Sequence, residues 1–298
     1  MGNVWKAMQK REAEAEKTST SPGASEKRPA PPKPEDAVPE APRPEPSPVA
    51  KAVAEPPAPK APAESGPASA SSITSNGYAP ELIAHHDRGG PIAEEYRGIR
   101  TNLLARAPNQ RFCYVVTSAL GSEGKTVTCL NLAMVMAERQ DFRTLVVDCD
   151  LRKGRIATLL RASNTPGMAE VLRGEAGAAE AVQPTAYPNL FVAPSGRAKA
   201  DQVGELVTRP ELEEAIAGFR KTYDYVIVDT PPVTVVSETC MIGQAVGSAL
   251  LVVRMGKTHR ESVETALRLL GAANVDVEGV VLTHRRHRSR QYAYKYYY

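Results

Sequence analysis

The segment SALGSEGKT, residues 118–126, has the residue types and spacing of a phosphate-binding loop. Gly124, Lys125 and Thr126 match the end of the pattern G-x-x-x-x-G-K-[ST], while Ala119 replaces its first glycine. In such a loop the backbone N–H groups and the start of the next helix face phosphate oxygens, and the lysine reaches the β and γ phosphates. The predicted nucleotide-binding residues are Gly121, Ser122, Glu123, Gly124, Lys125, Thr126 and Val127.

Two further segments carry carboxylates at the ends of apolar runs. Asp148 and Asp150 end LVVDCD, and the period of two of a strand places them on one side of the chain. Asp229 ends YVIVD, as in a Walker B strand. Carboxylate and hydroxyl oxygens suit Mg²⁺. The ordered set therefore predicts a site for ATP and Mg²⁺.

The elements that must position these groups alternate between strands and helices. Helices are predicted at residues 92–107, 125–139, 155–161, 168–174, 176–182, 201–207, 210–221 and 259–273. Apolar runs predict strands at residues 112–118, 144–150, 189–194, 225–230, 248–255 and 277–284. Continuous apolar strands are buried on both faces. The alternation predicts an α/β fold with a doubly wound, mostly parallel sheet, which binds ligands at the carboxyl ends of its strands.

Composition divides the chain of 298 residues into four parts. Residues 1–17 have the pattern of a short helix, and residues 18–78 hold most of the 25 prolines and predict a disordered linker rich in Pro and Ala. Residues 79–284 form the predicted catalytic domain, and residues 285–298 form a basic, tyrosine-rich, flexible tail.

Several classes of protein are not expected from this sequence. It has no run of 18 apolar residues that would span a membrane and no apolar signal core at residues 1–17. The four cysteines form no paired motif, which indicates reduced thiols. The net charge of +3 gives no reason to expect a nucleic-acid partner.

Two more patterns have candidate roles. The segment EEYRGIR has the spacing E-x-x-R-x-x-R, which places Glu94, Arg97 and Arg100 on one face of a helix. The tail has no acidic residue and ends in exposed aromatic residues beside the ATP motifs, which suggests phosphoacceptors. The candidate acceptors are Tyr292, Tyr294, Tyr296, Tyr297 and Tyr298.

Taken together, these motifs resemble the bacterial tyrosine kinases of the CpsD/CapB type, which have a P-loop NTPase fold with the deviant Walker motifs of MinD and ParA. SALGSEGKT is similar to their Walker A motif, LVVDCDLRKG to their extra acidic Walker A′ motif and VIVDTPP to their Walker B motif. The resemblance covers about residues 79–298. It implies an autokinase that phosphorylates the terminal tyrosines of a neighbouring subunit within a ring, and that regulates the synthesis and export of capsular polysaccharide.

The resemblance also implies roles and partners. Lys125 stabilises the transferred phosphoryl group, Asp148 orients or deprotonates the tyrosine hydroxyl, and Asp229 binds Mg²⁺ with Thr126 and, through water, Asp150. Glu94, Arg97 and Arg100 form the ring interface. The implied partner is a membrane-embedded polysaccharide co-polymerase, which recruits a cytoplasmic kinase to the inner face of the membrane.

Two alternatives remain open from the residues. A positioning ATPase of the ParA/MinD type shares the fold, but usually has a lysine where this chain has Leu120, and the tyrosine tail has no role in it. A non-catalytic scaffold would bind nucleotide and act through assembly alone.

Overall fold

The computed structural model describes residues 77–106 and 111–284, and seven strands of this part form one sheet. The strands are β1 (Phe112–Ser118), β2 (Thr144–Asp148), β3 (Gln183–Pro184), β4 (Leu190–Ala193), β5 (Tyr225–Asp229), β6 (Ser248–Arg254) and β7 (Asp276–Thr283). The helices are α1 (Ile83–His86), α2 (Pro91–Arg106), α3 (Lys125–Met136), α4 (Ile156–Leu160), α5 (Met168–Leu172), α6 (Val203–Leu206), α7 (Pro210–Thr222), α8 (Glu238–Val246) and α9 (Arg260–Ala272).

The strand order of the sheet is β3-β4-β2-β5-β1-β6-β7. All neighbouring strands pair in parallel except β3 and β4. Strand β5, although it follows β2 by more than 70 residues, lies between β2 and β1. This crossover brings the carboxyl ends of β1, β2 and β5 together at the centre of one edge, where parallel sheets of this kind bind ligands.

Two apolar cores cover the faces of the sheet. One contains side chains of α5, α7, α8 and α9, and the other contains side chains of α1, α2, α3 and α4. Each residue of β2 and β5 is buried, which explains why these strands are continuous apolar runs in the sequence. The predicted doubly wound, mostly parallel sheet is therefore confirmed.

Tyr78 is part of the core of the described residues. Tyr78, which the sequence places in the linker, is 5% exposed and packs in the second core. Its hydroxyl accepts a hydrogen bond from the backbone N–H of Ala186 at 3.1 Å. Ala186 is 108 positions away in the chain, so only the tertiary structure supplies this partner.

Some local predictions differ from the structure. The predicted helix at 176–182 is a series of turns, in which the Glu180 carboxylate accepts the N–H of Gly177 at 2.9 Å. Helix α8 was not predicted by the sequence, because glycine and β-branched residues interrupt its pattern. It forms because Thr239, Ile242 and Val246 pack on the sheet, and because Gly243 leaves room for Val275.

Three sequence predictions fall outside the described residues. They are the helix at 1–17, the linker up to residue 76 and the tyrosine tail at 285–298. Within the described ranges, no helix combines the length and the apolar character that crossing a membrane requires.

Candidate active site

The loop between β1 and α3 has the geometry of a phosphate cradle. Two of its residues adopt left-handed backbone conformations, Ser122 with φ 62° and Gly124 with φ 93°. Helix α3 begins directly after Gly124, so its unpaired N–H groups face the same side as the loop. Lys125 is the first residue of α3 and is 8% exposed. The loop can thus bring backbone N–H groups and one ammonium group to an anion.

Asp148 and Asp229 stand next to each other at the ends of β2 and β5. The register pairs these two residues directly, and both are fully buried. The hydroxyl of Thr126 donates a hydrogen bond to Oδ2 of Asp229 at 2.5 Å. The ordering of the strands therefore joins the phosphate loop to both acidic motifs.

Burial raises the pKa of both carboxyl groups. It raises the pKa of Asp229 to about 6, against the opposing effects of the Lys125 charge and the Thr126 hydrogen bond. It also raises the pKa of Asp148 well above its usual range, and the neighbouring charge of Asp229 adds to this rise. Backbone N–H groups of Ile156 and Asp150 donate hydrogen bonds to Asp148 at 3.1 and 3.2 Å, and these bonds oppose the rise in its pKa. A cation placed between the two carboxylates would relieve their repulsion.

Asp150 and Arg152 form the side of the site after β2. Asp150 is partly exposed, and its carboxylate accepts the N–H of Lys153 at 3.0 Å. Arg152 forms an ion pair with Glu238, the first residue of α8, whose side chain is 6% exposed. This pair ties the segment after Asp150 to the segment after Asp229.

The donor set fits a hard divalent cation that also takes phosphate oxygens. Within residues 77–106 and 111–284, no three His, Cys, Asp or Glu side chains are arranged to hold a metal ion by themselves. The Thr126 hydroxyl and the Asp229 carboxylate are in contact and supply only oxygen. Mg²⁺ is usually bound in this way, by one or two carboxylates together with substrate phosphates and water.

The predicted nucleotide-binding residue Glu123 has a different environment from the rest of the loop. Its side chain is turned into the protein and is 1% exposed. The carboxylate accepts the N–H of Leu120 at 2.8 Å and the hydroxyl of Thr258. The Glu123 side chain therefore stabilises the conformation of the loop. The spacing of the motif did not indicate Thr258 as its partner.

The predicted interface residues meet an acidic partner within the same chain. Glu138, just after α3, accepts hydrogen bonds from Arg97 at 2.6 and 3.0 Å and from Arg100 at 2.7 Å. Arg97 also pairs with Glu94 at 3.0 Å, and Arg100 donates to the carbonyl oxygen of Val135 at 2.5 Å. Partial burial would raise the pKa of Glu138, but the bonds from the two arginines lower it.

This group of Glu94, Arg97, Arg100 and Glu138, the α2–α3 cluster, lies at the opposite end of α3 from the phosphate loop. Spacing alone places the first three residues on one helical face, and Glu138 could not be found from that pattern. The candidate acceptors Tyr292–Tyr298 lie outside the described residues.

The part of the chain that contains this site is similar to known proteins. A family model described as an AAA domain matches residues 114–261, which include the loop and all three acidic residues of the site. The chain is 32% identical to tyrosine-protein kinase YwqD of Bacillus subtilis over 206 residues, which cover 69% of this chain and 86% of YwqD.

A second relative is much longer than this chain. Tyrosine-protein kinase wzc of Salmonella typhi is 34% identical over 219 residues, which cover 73% of this chain but 30% of that protein. Among solved structures, the kinase domain of the Escherichia coli tyrosine kinase ETK superposes with a TM-score of 0.64 at 29% identity, covering 70% of this chain and 83% of that domain.

Proposed function

Because the chain belongs to the family of bacterial tyrosine-protein kinases, we propose that it transfers the γ-phosphoryl group of ATP to tyrosine side chains. The observation that carries this proposal is the pairing of Asp148 with Asp229 beside Thr126 and Lys125. Phosphoryl transfer needs little covalent work from a protein and depends on positioning and on electrostatic stabilisation. The site supplies both with groups from three segments.

Each residue of the site has a role in this proposal. Thr126 and Asp229 would hold Mg²⁺, and Asp150 would support it through water. Mg²⁺ neutralises charge on the β and γ phosphoryl oxygens when it is bound. Lys125 and the N–H groups of residues 121–127 would stabilise the charge that develops on the transferred group.

Asp148 would orient the tyrosine hydroxyl and accept its proton. A free tyrosine hydroxyl has a pKa of about 10, so the carboxylate acts mainly through placement. Because Asp148 is fully buried in this conformation, its role requires that the surrounding wall opens to the acceptor. The acceptor would enter on the side of Asp150, which is partly exposed.

The proposed acceptors are Tyr292, Tyr294, Tyr296, Tyr297 and Tyr298 of a neighbouring subunit in a ring. The α2–α3 cluster would form the ring contact as a preorganised group, since its arginines already pair with Glu138. Each phosphotyrosine adds about −1.5 to −2 charges, so five would add about −8 to −10 to a tail with five basic residues. Tails with this charge would repel each other and favour release from the ring.

We place this activity in the regulation of capsular polysaccharide synthesis and export, on the strength of the resemblance to the CpsD/CapB type. The proposed activator is a membrane-embedded polysaccharide co-polymerase. The proposed location is the cytoplasm, at the inner face of the membrane through that partner.

The test is intact-mass spectrometry of the purified chain after incubation with ATP and Mg²⁺, followed by mapping of the C-terminal peptide. The expected result is the addition of phosphate at Tyr292–Tyr298 and its loss in Lys125→Met. Lys221→Met, on the exposed side of α7, is the matched control and should behave like the original chain. Phosphotyrosine that persists in Lys125→Met alone with ATP would refute the mechanism. Nucleotide hydrolysis without added phosphate, even with the activator, would favour a positioning ATPase.

A further inference from the structure

Four carbonyl oxygens of the phosphate loop accept hydrogen bonds from side chains, three of which lie outside residues 118–126. The hydroxyl of Thr283, at the end of β7, donates to the carbonyl oxygen of Glu123 at 2.8 Å. The guanidinium of Arg254, at the end of β6, donates to that of Ser122 at 3.3 Å. Ser118 and Thr234 do the same for Leu120 and Ala119. Four carbonyl oxygens of the loop are thus engaged by donors of the protein itself.

This orientation matters because a peptide group has two opposite ends. A carbonyl oxygen that faced a phosphate would repel it, while an N–H group attracts it. When the carbonyl groups of a loop are bonded on its protein side, its N–H groups can face the phosphate side before a ligand binds. The left-handed conformations of Ser122 and Gly124 also set the direction of the peptide groups in the loop.

The Glu123 carboxylate is the second part of this arrangement. It accepts the Leu120 N–H, which lies at the start of the loop, and the Thr258 hydroxyl, which lies after β6. The Thr258 oxygen in turn accepts the N–H of Arg254 at 3.2 Å. Glu123 is therefore fixed at its carbonyl by Thr283 and at its carboxylate by Thr258, although neither threonine belongs to the three nucleotide motifs.

We propose that Glu123, Thr258 and Thr283, the loop clamp, are positioning residues that preorganise the phosphate loop for nucleotide. The inference rests on the proposed function, because it names the residues that prepare the same nucleotide site. The loop clamp ties the carboxyl ends of β6 and β7 to the loop, so nucleotide affinity depends on two strands that supply no carboxylate to the site. In this proposal the buried Glu123 side chain positions the loop and does not contact phosphate.

The test measures binding of a fluorescent ADP analogue with Mg²⁺ to the full chain. Thr258→Val and Thr283→Val keep the shape of the side chain and remove the hydroxyl. Each is expected to weaken binding about 10-fold, as for loss of one hydrogen bond of typical strength. Thr258→Ser and Thr283→Ser keep the hydroxyl and should bind within about 2-fold of the original chain. Thr222→Val removes an exposed hydroxyl that bonds Gly218 on α7 and is the matched control.

Each outcome decides the inference. Weak binding by both valine variants, rescued by serine and with thermal unfolding close to that of Thr222→Val, would support the loop clamp. Unchanged binding by the valine variants would overturn it while leaving the proposed kinase intact. Equal losses in the serine and valine variants would also overturn it, because the methyl contact and not the hydroxyl would then matter. A chain that binds no nucleotide at all would refute both the inference and the proposed function.

Discussion

Removal of the Arg152 guanidinium is expected to destabilise the protein by leaving a buried charge without its partner. The Glu238 side chain is 6% exposed and that of Arg152 is 33% exposed. Breaking a fully buried ion pair costs about 3–5 kcal/mol, and a partly exposed partner lowers that value. The N-terminus of α8 compensates the carboxylate by roughly 0.3–1 kcal/mol. We therefore expect Arg152→Met to lower the free energy of unfolding by about 2 kcal/mol.

Thermal and urea unfolding followed by circular dichroism would measure this change. For a domain of this size, about 2 kcal/mol corresponds to a fall in Tm of roughly 4–8 °C. Glu238→Gln removes the charge but keeps an acceptor, so the double variant Arg152→Met/Glu238→Gln should recover about half of the loss. Arg209→Met breaks an exposed pair with Glu205 and should cost less than about 1 kcal/mol. An Arg152→Met variant no less stable than Arg209→Met, or strictly additive single changes, would refute the reasoning.

Three further predictions concern packing, the α2–α3 cluster and pH. Gly167→Ala should cost about 3 kcal/mol in urea unfolding, because its Cβ would lie 2.5 Å from a backbone carbonyl oxygen; unchanged stability would contradict this close approach. Glu138→Ala should cost about 1 kcal/mol by leaving Arg97 and Arg100 without their shared carboxylate, and a Tm equal to that of the original chain would argue against the pairing. Because burial raises the pKa of Asp229 to about 6, its folded form keeps a proton that the unfolded chain releases near pH 4. This group therefore lowers stability as pH rises from about 4 to 6, by up to about 3 kcal/mol. Unfolding free energies across this range should fall less steeply in Asp229→Asn, and equal slopes would contradict the shift.

Much of the fold could be predicted because its strands carry their own signal. A strand buried on both faces is mostly apolar, and β1, β2, β5 and β6 were predicted within two residues of their ends for that reason. The weaker elements lacked such a signal. The two-residue β3 and helix α8 depend on neighbours that the local sequence does not show.

The candidate site divides in the same way. The motif around Lys125 was visible because the chemistry of a phosphate loop requires adjacent residues. Spacing also predicted that Asp148 and Asp150 lie on one side of a strand, but β2 ends at Asp148 and Asp150 follows outside it. By contrast, Glu138 and Thr258 could not be predicted. The packing of α2 brings the arginines to Glu138, and the end of β6 brings Thr258 to Glu123.

By itself the sequence determined the phosphate loop, the acidic strand ends and the alternation of strands with helices, because each is encoded within one short segment. The tertiary structure decided that Asp229 lies beside Asp148, that Arg97 meets Glu138 and that Thr283 supports the loop. These contacts join residues far apart in the chain. The first and third depend on the order of strands in the sheet, and the second depends on the packing of α2 against α3. The burial that shifts the pKa of both carboxyl groups exists only after the strand order is set.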